Sequence, residues 1–246
     1  MCENLFKGID NFRDLGGMFG AEGKRIKSGL LYRSAQLSCP YDEDKQGIDA
    51  LSLKTIVDFR TAAEAKAQPD YIPEGCVYLS LPPLEGFAGE GLSYFLMKLR
   101  FLSSPSLFFG NLYKKLAVGD MAKKAYKAFF GILLENQTPV VWHCNQGKDR
   151  TGIATMLLLH CLGVDVDIIF RDYMLTNEYM QRLHAEKSKG SRLGAKIYGE
   201  LLFVKKKNYD RFLARVAKKY GDLDGYLAQI GIGDKEKEIL KGLYLE

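Results

Sequence analysis

Residues 143–152, His-Cys-Asn-Gln-Gly-Lys-Asp-Arg-Thr-Gly, contain a cysteine and an arginine separated by five residues, Cys144 and Arg150. A cysteine thiolate can attack phosphorus, and a guanidinium can bind two phosphate oxygens through its planar fork. The spacing therefore predicts a loop that holds a phosphate between a nucleophile and a cation. It indicates an enzyme that removes phosphate from a phosphoester through a covalent phosphocysteine.

The flanking residues predict a strand before this loop and a helix after it. Residues 138–143 are short, β-branched and apolar, with Pro139 near the start, which is typical of a buried strand. Residues 151–162 are rich in Ala, Leu, Met and Ile, and Gly163 follows where a helix would end. The free N–H groups and the dipole at the N-terminus of that helix would favour an anion in the loop.

Each residue type in the loop has a predicted role. Cys144 is the nucleophile, because a helix N-terminus favours the thiolate form of a cysteine. Arg150 binds the phosphate and follows its charge into the transition state. Gly147 allows a positive φ and a close approach of the backbone to the ligand, and the Thr151 hydroxyl can hydrogen-bond the thiolate. The predicted phosphate-binding residues are Asn145, Gln146, Gly147, Lys148, Thr151 and Gly152.

The full pattern is much more specific than the cysteine–arginine pair. The pair alone has a chance probability of roughly 0.2, and four further matching positions lower it to the order of 10⁻⁵. A nucleotide-binding P-loop is excluded, because Trp142 stands where that motif needs glycine and Asp149 where it needs Ser or Thr. His143 is predicted to orient the backbone of Cys144, because a strand residue before the loop points away from the pocket.

These ten residues resemble the signature of the cysteine-dependent protein tyrosine phosphatase superfamily, and their ending looks like that of its bacterial tyrosine/phosphoinositide phosphatase branch. Further blocks resemble the same branch in the same order: residues 11–17, 29–34, 56–60 with Glu64, and 172–179. The resemblance implies a protein tyrosine phosphatase-like fold and hydrolysis of phosphomonoesters without a metal or another cofactor. It implies phosphotyrosine as substrate, with phosphoserine, phosphothreonine or phosphoinositides as alternatives, and inorganic phosphate as product.

Two aspartates compete for the role of general acid. Many phosphatases of this superfamily carry that acid on a Trp-Pro-Asp loop, but the single tryptophan of this chain, Trp142, lies in the strand before the signature. The resemblance therefore implies Asp149, which can protonate the departing oxygen and later activate water. Asp58 is the rival, because it ends an apolar strand and strand ends line the site in open α/β sheets. The alternative for Asp58 is a helix N-cap or a structural pair with Arg60.

Three further features have two interpretations each. Lys148 either helps to bind a second phosphate or a polyanionic substrate, or is a solvated loop lysine. Residues 84–110, rich in glycine and aromatic residues, form either a lid over the pocket or a helix packed into the core. The basic residues in 187–192 and 205–207 lie within a second candidate insertion, 186–207. They could contact acidic substrates or anionic lipid headgroups. The interpretation that we favour is a solvated helix face.

Composition is consistent with one globular phosphatase domain over residues 1–246, with 47% hydrophobic and 26% charged residues. The net charge of +5 suits phosphorylated substrates and is too small to indicate nucleic acid. No apolar stretch reaches the ~20 residues of a membrane span, and no secretory signal is evident, so a cytoplasmic location is expected unless a leader was removed. Five widely spaced cysteines argue against a disulfide framework or a zinc site.

Short apolar runs predict strands at residues 29–33, 53–59, 76–81 and 139–143, and helical patterns separate several of them. This alternation predicts an α/β fold with a mostly parallel sheet of about four to five strands, helices on both faces and a helical C-terminal part. Helices are predicted at residues 60–68, 92–102, 107–116, 121–135, 165–183, 193–204, 210–220, 223–230 and 235–243.

Two other functions fit part of the pattern. One is an interaction module that binds phosphate and has little or no turnover. The other is arsenate reduction or sulfur transfer at the cysteine, which would not require Asp149.

Overall fold

The computed structural model describes residues 5–39, 41–84, 101–189 and 191–246. Within these ranges the strands form one five-stranded sheet in the order β1-β2-β5-β3-β4. The pair β1–β2 is antiparallel, and the other neighbouring strands are parallel. The strands are β1 (Arg13–Asp14), β2 (Leu31–Ser34), β3 (Thr55–Asp58), β4 (Val77–Ser80) and β5 (Val140–His143). The predicted α/β class and mostly parallel sheet are confirmed.

Helices account for most of the remaining described residues. In chain order they are α1 (Asp42–Ala50), α2 (Ala62–Ala67), α3 (Pro105–Val118), α4 (Asp120–Leu134), α5 (Asp149–Cys161), α6 (Val166–Tyr179), α7 (Gln181–Lys187), α8 (Arg192–Leu202), α9 (Lys206–Tyr220), α10 (Leu223–Gln229) and α11 (Asp234–Tyr244). A short 3₁₀ turn occupies Ala21–Gly23, and residues 101–103 are also helical. After β5 the described chain contains helices and no further strand of the sheet.

The sheet carries a hydrophobic cluster on each face. Along β5, Val140 and Trp142 pack in the larger cluster, which includes residues of α3 to α6 and α9 to α11, while Val141 packs in the smaller one with Ile48 of α1. This alternation is expected because successive side chains of a strand point to opposite faces. Strand β5 lies between β2 and β3, so the residue that follows it, Cys144, leaves the middle of the sheet.

Some elements differ from the predictions for identifiable reasons. Strand β1 has two charged residues, and α1 has an acidic first turn and few apolar residues, so neither shows a clear hydrophobic period. The helix predicted at residues 165–183 divides into α6 and α7 at Met180, which is fully buried. In the candidate lid 84–110, residues 85–100 lie outside the described residues, and so does most of the helix predicted at 92–102.

The four cysteines in the described ranges, Cys39, Cys76, Cys144 and Cys161, are free thiols. Burial raises the pKa of Cys39 and Cys161 to about 12 and that of Cys76 to about 11. These three thiols are therefore poor nucleophiles at neutral pH. Among the described helices, none has the length and apolar character needed to cross a bilayer.

Buried ion pairs predict acid sensitivity of the fold. Burial would raise the pKa of Asp172, but the charges of Arg13 and Arg33 outweigh it and the pKa is lowered; cationic neighbours likewise lower that of buried Asp58. A carboxylate with a lowered pKa stabilises the fold above its unfolded pKa of about 3.9, and this contribution is lost as the pH falls through the folded value. We expect the urea midpoint to drop between about pH 5 and pH 2. A constant midpoint over that window would contradict the assignment.

Candidate active site

The phosphate loop, defined as residues 144–148, connects β5 to α5 as the sequence predicts. Cys144 directly follows β5, and its side chain lines a pocket although only 2% of the residue is exposed. Lys148 stands at the N-cap of α5, and no side chain caps this helix. The first N–H groups of α5 are therefore left to bind an anion, in the positive potential at the helix N-terminus.

The carbonyl groups of the phosphate loop are bound from beneath by the N-terminal part of the chain. The Asn11 side chain donates to the carbonyls of Gln146 (2.9 Å) and Gly147 (3.0 Å), and Arg33 donates to the carbonyl of Gly147 (2.7 Å). In a trans peptide the N–H points opposite to the carbonyl. The N–H groups of Gly147 and Lys148 therefore point away from these supporting side chains, as phosphate binding requires.

Gly147 has φ of +63°, and an added Cβ would lie 2.2 Å from the carbonyl oxygen of Ser34. We expect Gly147→Ala to displace the loop, because both the backbone conformation and the adjacent backbone exclude a side chain. The variant should lose at least about tenfold in phosphate affinity, since misplaced donors lose their hydrogen bonds. Calorimetric titration with phosphate would measure this. Gly131→Ala, on α4 with open space around its Cβ, is the matched control and should bind like the wild type.

Arg150 is held by Glu64, which lies in the first turn of α2. Its guanidinium donates to the two carboxylate oxygens of Glu64 (2.6 and 3.0 Å) and to the carbonyl of Phe59 (3.2 Å). Glu64 also accepts from the side chain of Asn145 (2.5 Å) and forms a capping box with Thr61. Burial would raise the pKa of Glu64, but the bond and charge of Arg150 outweigh it and the pKa is lowered.

These contacts leave one edge of the guanidinium for a ligand. An arginine has five N–H donors. Among the described residues, three donors of Arg150 have partners, two on Nη1 and one on Nη2. The Nε–H and the second Nη2–H remain, which is the pair that a bidentate phosphate contact uses.

Asp149 is the first residue of α5, and its carboxylate lines the same pocket as Cys144 and Arg150. It accepts a hydrogen bond from the hydroxyl of Tyr113, which also contacts the hydroxyl of Tyr173 at 2.6 Å. The ammonium of Lys148 lies 3.4 Å from the other carboxylate oxygen. The pocket has a volume of about 180 Å³ and is lined by Glu64, Leu84, Phe108, Phe109, Leu112, Cys144, Asn145, Gln146, Lys148, Asp149, Arg150 and Leu201.

Lys148 is buried, with 4% of its surface exposed, so the interpretation as a solvated loop lysine is wrong. Its ammonium donates to the carbonyl of Leu201 at the C-terminus of α8 and lies 4.9 Å from the ring centre of Phe109. The chain thus provides this lysine with partners that sequence reasoning did not anticipate. Lys148 connects the phosphate loop to α8 and α3.

The structure does not place Asp58 in the pocket, and its carboxylate forms a structural ion pair. It accepts from Nε of Arg60 at 3.0 and 2.9 Å and from the hydroxyl of Tyr78 at 2.5 Å, and it is fully buried. The pairing with Arg60 that was the alternative to a catalytic role is thus observed. The physical reason is that Arg60 turns back onto the end of its own strand and binds the carboxylate there.

His143 lies in this buried cluster, beneath the phosphate loop. Its Nδ1 is 3.4 Å from the carbonyl oxygen of Cys144, and its Nε2 is 3.3 Å from Oδ2 of Asp70. Asp58, Asp70 and His143 offer ligand atoms within 4.8 Å of one another. Arg60 pairs with both carboxylates, so within the described residues this group already contains a cation.

The last two residues of the signature, Thr151 and Gly152, lie in the first turn of α5. Thr151 is fully buried, and its hydroxyl has no hydrogen-bond partner among the described residues. A Cβ at Gly152 would lie 3.2 Å from the ring of Tyr173, so this position is in close contact with α6. Neither of these two residues lines the pocket.

A family model described as the tyrosine phosphatase family matches residues 5–246. The chain belongs to this family. It is 30% identical over 227 residues to a Cupriavidus necator protein named "Putative tyrosine-protein phosphatase", with 90% of this chain and 81% of the relative covered. It is 26% identical to the triple specificity protein phosphatase PtpB of Mycobacterium tuberculosis over the whole of both chains. The solved structure of P. aeruginosa TpbA matches 85% of this chain and 90% of its own at 16% identity, with a TM-score of 0.37.

The resemblance inferred from the signature is thus confirmed, and the protein is an enzyme of the protein-tyrosine-phosphatase type. Sequence reasoning missed several residues that support the site of this phosphatase. The sequence indicates Glu64 only as part of a block that resembles the family, although its place three residues after Thr61 marks a helix start. Nothing in the sequence relates Tyr113 to Asp149, because a tyrosine on an apolar helix usually indicates core packing.

Proposed function

We propose that this phosphatase hydrolyses phosphotyrosine through a phosphocysteine intermediate on Cys144. The observation that carries the proposal is that Cys144, Asp149 and Arg150 line one pocket at the uncapped N-terminus of α5. A nucleophile, an acid and a cation are therefore within reach of one bound group.

In the first step, the thiolate sulfur of Cys144 attacks phosphorus and forms the P–S bond. The bond from phosphorus to the ester oxygen breaks, and Asp149 gives its proton to that departing oxygen. The free edge of Arg150 and the loop N–H groups bind the three equatorial oxygens, where the charge of the transition state is spread. Glu64 fixes the orientation of the guanidinium, so that little reorganisation is needed during the reaction.

In the second step, water attacks phosphorus and the P–S bond breaks, which releases inorganic phosphate and the thiolate. Asp149, now ionised, takes the proton of that water and returns to its acid form. The unpartnered hydroxyl of Thr151 lies one residue beyond Arg150, and we assign it to the stabilisation of the departing thiolate. Asn145, Gln146, Gly147, Lys148 and Gly152 shape the loop that binds the phosphate.

The lining of the pocket favours an aryl phosphate. Phe108, Phe109 and Leu112 of α3 line it beside Leu84 and Leu201, and apolar side chains of this kind suit a phenyl ring. Lys148 already has the carbonyl of Leu201 and the carboxylate of Asp149 as partners. This environment counts against a role in binding a second phosphate, so phosphoinositides rank below phosphotyrosine.

Both candidate insertions contribute to this lining, Leu84, Phe108 and Phe109 from 84–110 and Leu201 from 186–207. We assign them to substrate selection within a single phosphatase domain over residues 1–246. One hydrophobic cluster extends from Leu15 to Leu245, which supports a single domain.

A substrate panel tests the proposed function. The panel consists of para-nitrophenyl phosphate, peptides with phosphotyrosine, phosphoserine or phosphothreonine, and a soluble phosphoinositide. We expect vanadate-sensitive, chelator-insensitive turnover with the highest kcat/KM on phosphotyrosine. A folded protein that binds vanadate and hydrolyses none of these compounds would be the interaction module instead. A higher kcat/KM on the phosphoinositide would overturn the substrate assignment. Lys148→Ala would then show whether Lys148 is responsible for the turnover of the phosphoinositide.

A further inference from the structure

Two buried arginines share one carboxylate beneath the phosphate loop. Asp172 of α6 pairs with Nε of Arg13 at 2.8 Å through one carboxylate oxygen and with Nη1 of Arg33 through the other. Arg33 is fully buried, and Arg13 and Asp172 are 8% and 4% exposed. Two positive charges and one negative charge leave one positive charge in excess. A buried charge without a full counter-charge is costly, so a fold that retains one needs a compensating anion.

The excess charge is connected to the loop through its backbone. Arg33 donates from Nη2 to the carbonyl of Gly147 at 2.7 Å, and its Nε has no hydrogen-bond partner among the described residues. In the sheet, Arg33 is paired with Trp142 of β5, two residues before Cys144. Burial and the neighbouring charge of Arg13 lower the pKa of Arg33 to about 10, which leaves it cationic at neutral pH. The charge and hydrogen bond of Asp172, and then the charge of Cys144, oppose that shift.

We propose that Arg13, Arg33 and Asp172 form a buried cluster with one excess positive charge. This charge stabilises the Cys144 thiolate and the bound phosphate from beneath the loop. This proposal rests on the assignment of Cys144 and the loop in the proposed function. The three residues are positioning residues, since the loop backbone lies between them and the ligand. Arg150 neutralises charge from the side of the pocket, and Arg33 does so from the opposite side.

Several other charged or titratable groups face these residues and define what a pH experiment reports. Around Arg33 the structure places Arg13 on β1, Asp172 and Tyr173 on α6, and Cys144. Around Cys144 it places Arg33 on β2, Tyr126 on α4 and Arg150 on α5, with His143 at its carbonyl. The negatively charged neighbours of Arg150 include Glu64 and Asp149. Substitutions of Arg13, Arg33 or Asp172 leave these other titratable groups in place.

The test measures the rate of Cys144 alkylation by iodoacetamide against pH, together with phosphate affinity by calorimetry. Neither readout requires turnover, so the result stands whether or not the enzyme hydrolyses the substrate panel. Arg13→Gln removes the excess charge together with the hydrogen bonds from Arg13 to Asn11, and it keeps the bond from Arg33 to Gly147. Arg33→Gln removes both the charge and the bond to Gly147. We expect the alkylation midpoint to rise by about half a unit to one unit in both variants, and phosphate affinity to fall by about three- to tenfold.

Asp172→Asn should change the alkylation midpoint and the phosphate affinity in the opposite direction. It adds to the positive excess, so the alkylation midpoint of the folded protein should fall and phosphate should bind more tightly. A merely structural role would disturb the loop in the same direction for all three variants. Arg215→Gln removes an exposed arginine of α9 and should leave both readouts unchanged. The proposal is overturned if folded Arg13→Gln has the alkylation midpoint and phosphate affinity of the wild type. It is also overturned if the alkylation midpoints of all three cluster variants shift in the same direction. Should Asp172→Asn not fold, Arg33→Lys, which keeps the charge, must return the alkylation midpoint to the wild-type value, and failure to do so overturns the proposal.

Discussion

Cys144→Ser is expected to lower kcat by about 10⁴- to 10⁶-fold, the scale on which removal of the nucleophile disables a catalytic unit. A serine hydroxyl at this position stays protonated at neutral pH, so no anionic nucleophile faces phosphorus. The loop N–H groups, the free edge of Arg150 and its support by Glu64 remain. Phosphate and vanadate should therefore still bind, and phosphotyrosine peptide should bind without being consumed.

The measurement pairs single-turnover kinetics with a binding titration. Acid quenching of the wild type with phosphotyrosine peptide should trap phosphate on Cys144, detectable by mass spectrometry and absent in Cys144→Ser. Cys76→Ser is the matched control, because Cys76 is a free, partly exposed thiol that does not line the pocket. Retention of more than about a hundredth of the wild-type kcat by Cys144→Ser would reject the phosphocysteine, since it leaves general acid catalysis to explain the rate.

The sequence was most informative where local pattern and position in the sheet agree. Strand β5 and helix α5 are strongly apolar and are separated by a short loop, so their order alone predicts Cys144 at the C-terminal end of a buried strand. That this strand is central, between β2 and β3, comes from the structure. The strand–loop–helix arrangement and the position of Arg150 at the start of the helix followed from that order, whereas Asp149 was indicated by the family resemblance. The fold class followed in the same way, from alternating strand and helix patterns.

The residues that sequence reasoning could not place are those whose partners are distant along the chain. Arg33 contacts Asp172 and Gly147, more than a hundred residues away, and Lys148 contacts Leu201 at the end of α8. Spacing rules describe neighbours within one element, and these contacts depend on how elements pack. The same limit left Asp58 undecided, because a strand end can face the pocket or the layer beneath it.

Asp149→Asn is expected to show which aspartate is the general acid, because its effect on kcat should depend on the leaving group of the substrate. The amide keeps the size of the side chain and an acceptor for Tyr113 but cannot protonate the departing oxygen. On phosphotyrosine we expect kcat to fall by about 10²- to 10⁴-fold, the usual contribution of a general acid. The loss should be smaller on para-nitrophenyl phosphate, because nitrophenolate leaves with less need of a proton. Phosphate affinity should be retained.

Asp58→Asn is the comparison that makes this result decisive. Asp58 is fully buried and paired with Arg60, so its neutralisation leaves Arg60 with Asp70 alone as carboxylate partner and should cost up to about 3–5 kcal/mol of folding free energy. Circular dichroism gives the fraction of the variant that is folded. The kcat of these folded molecules should depend on the leaving group as in the wild type, because the chemistry at Asp149 is intact. If instead Asp58→Asn shows the steep dependence and Asp149→Asn does not, then Asp58 is the acid. In that case the carboxylate would have to reach the pocket by a rearrangement of the pair with Arg60.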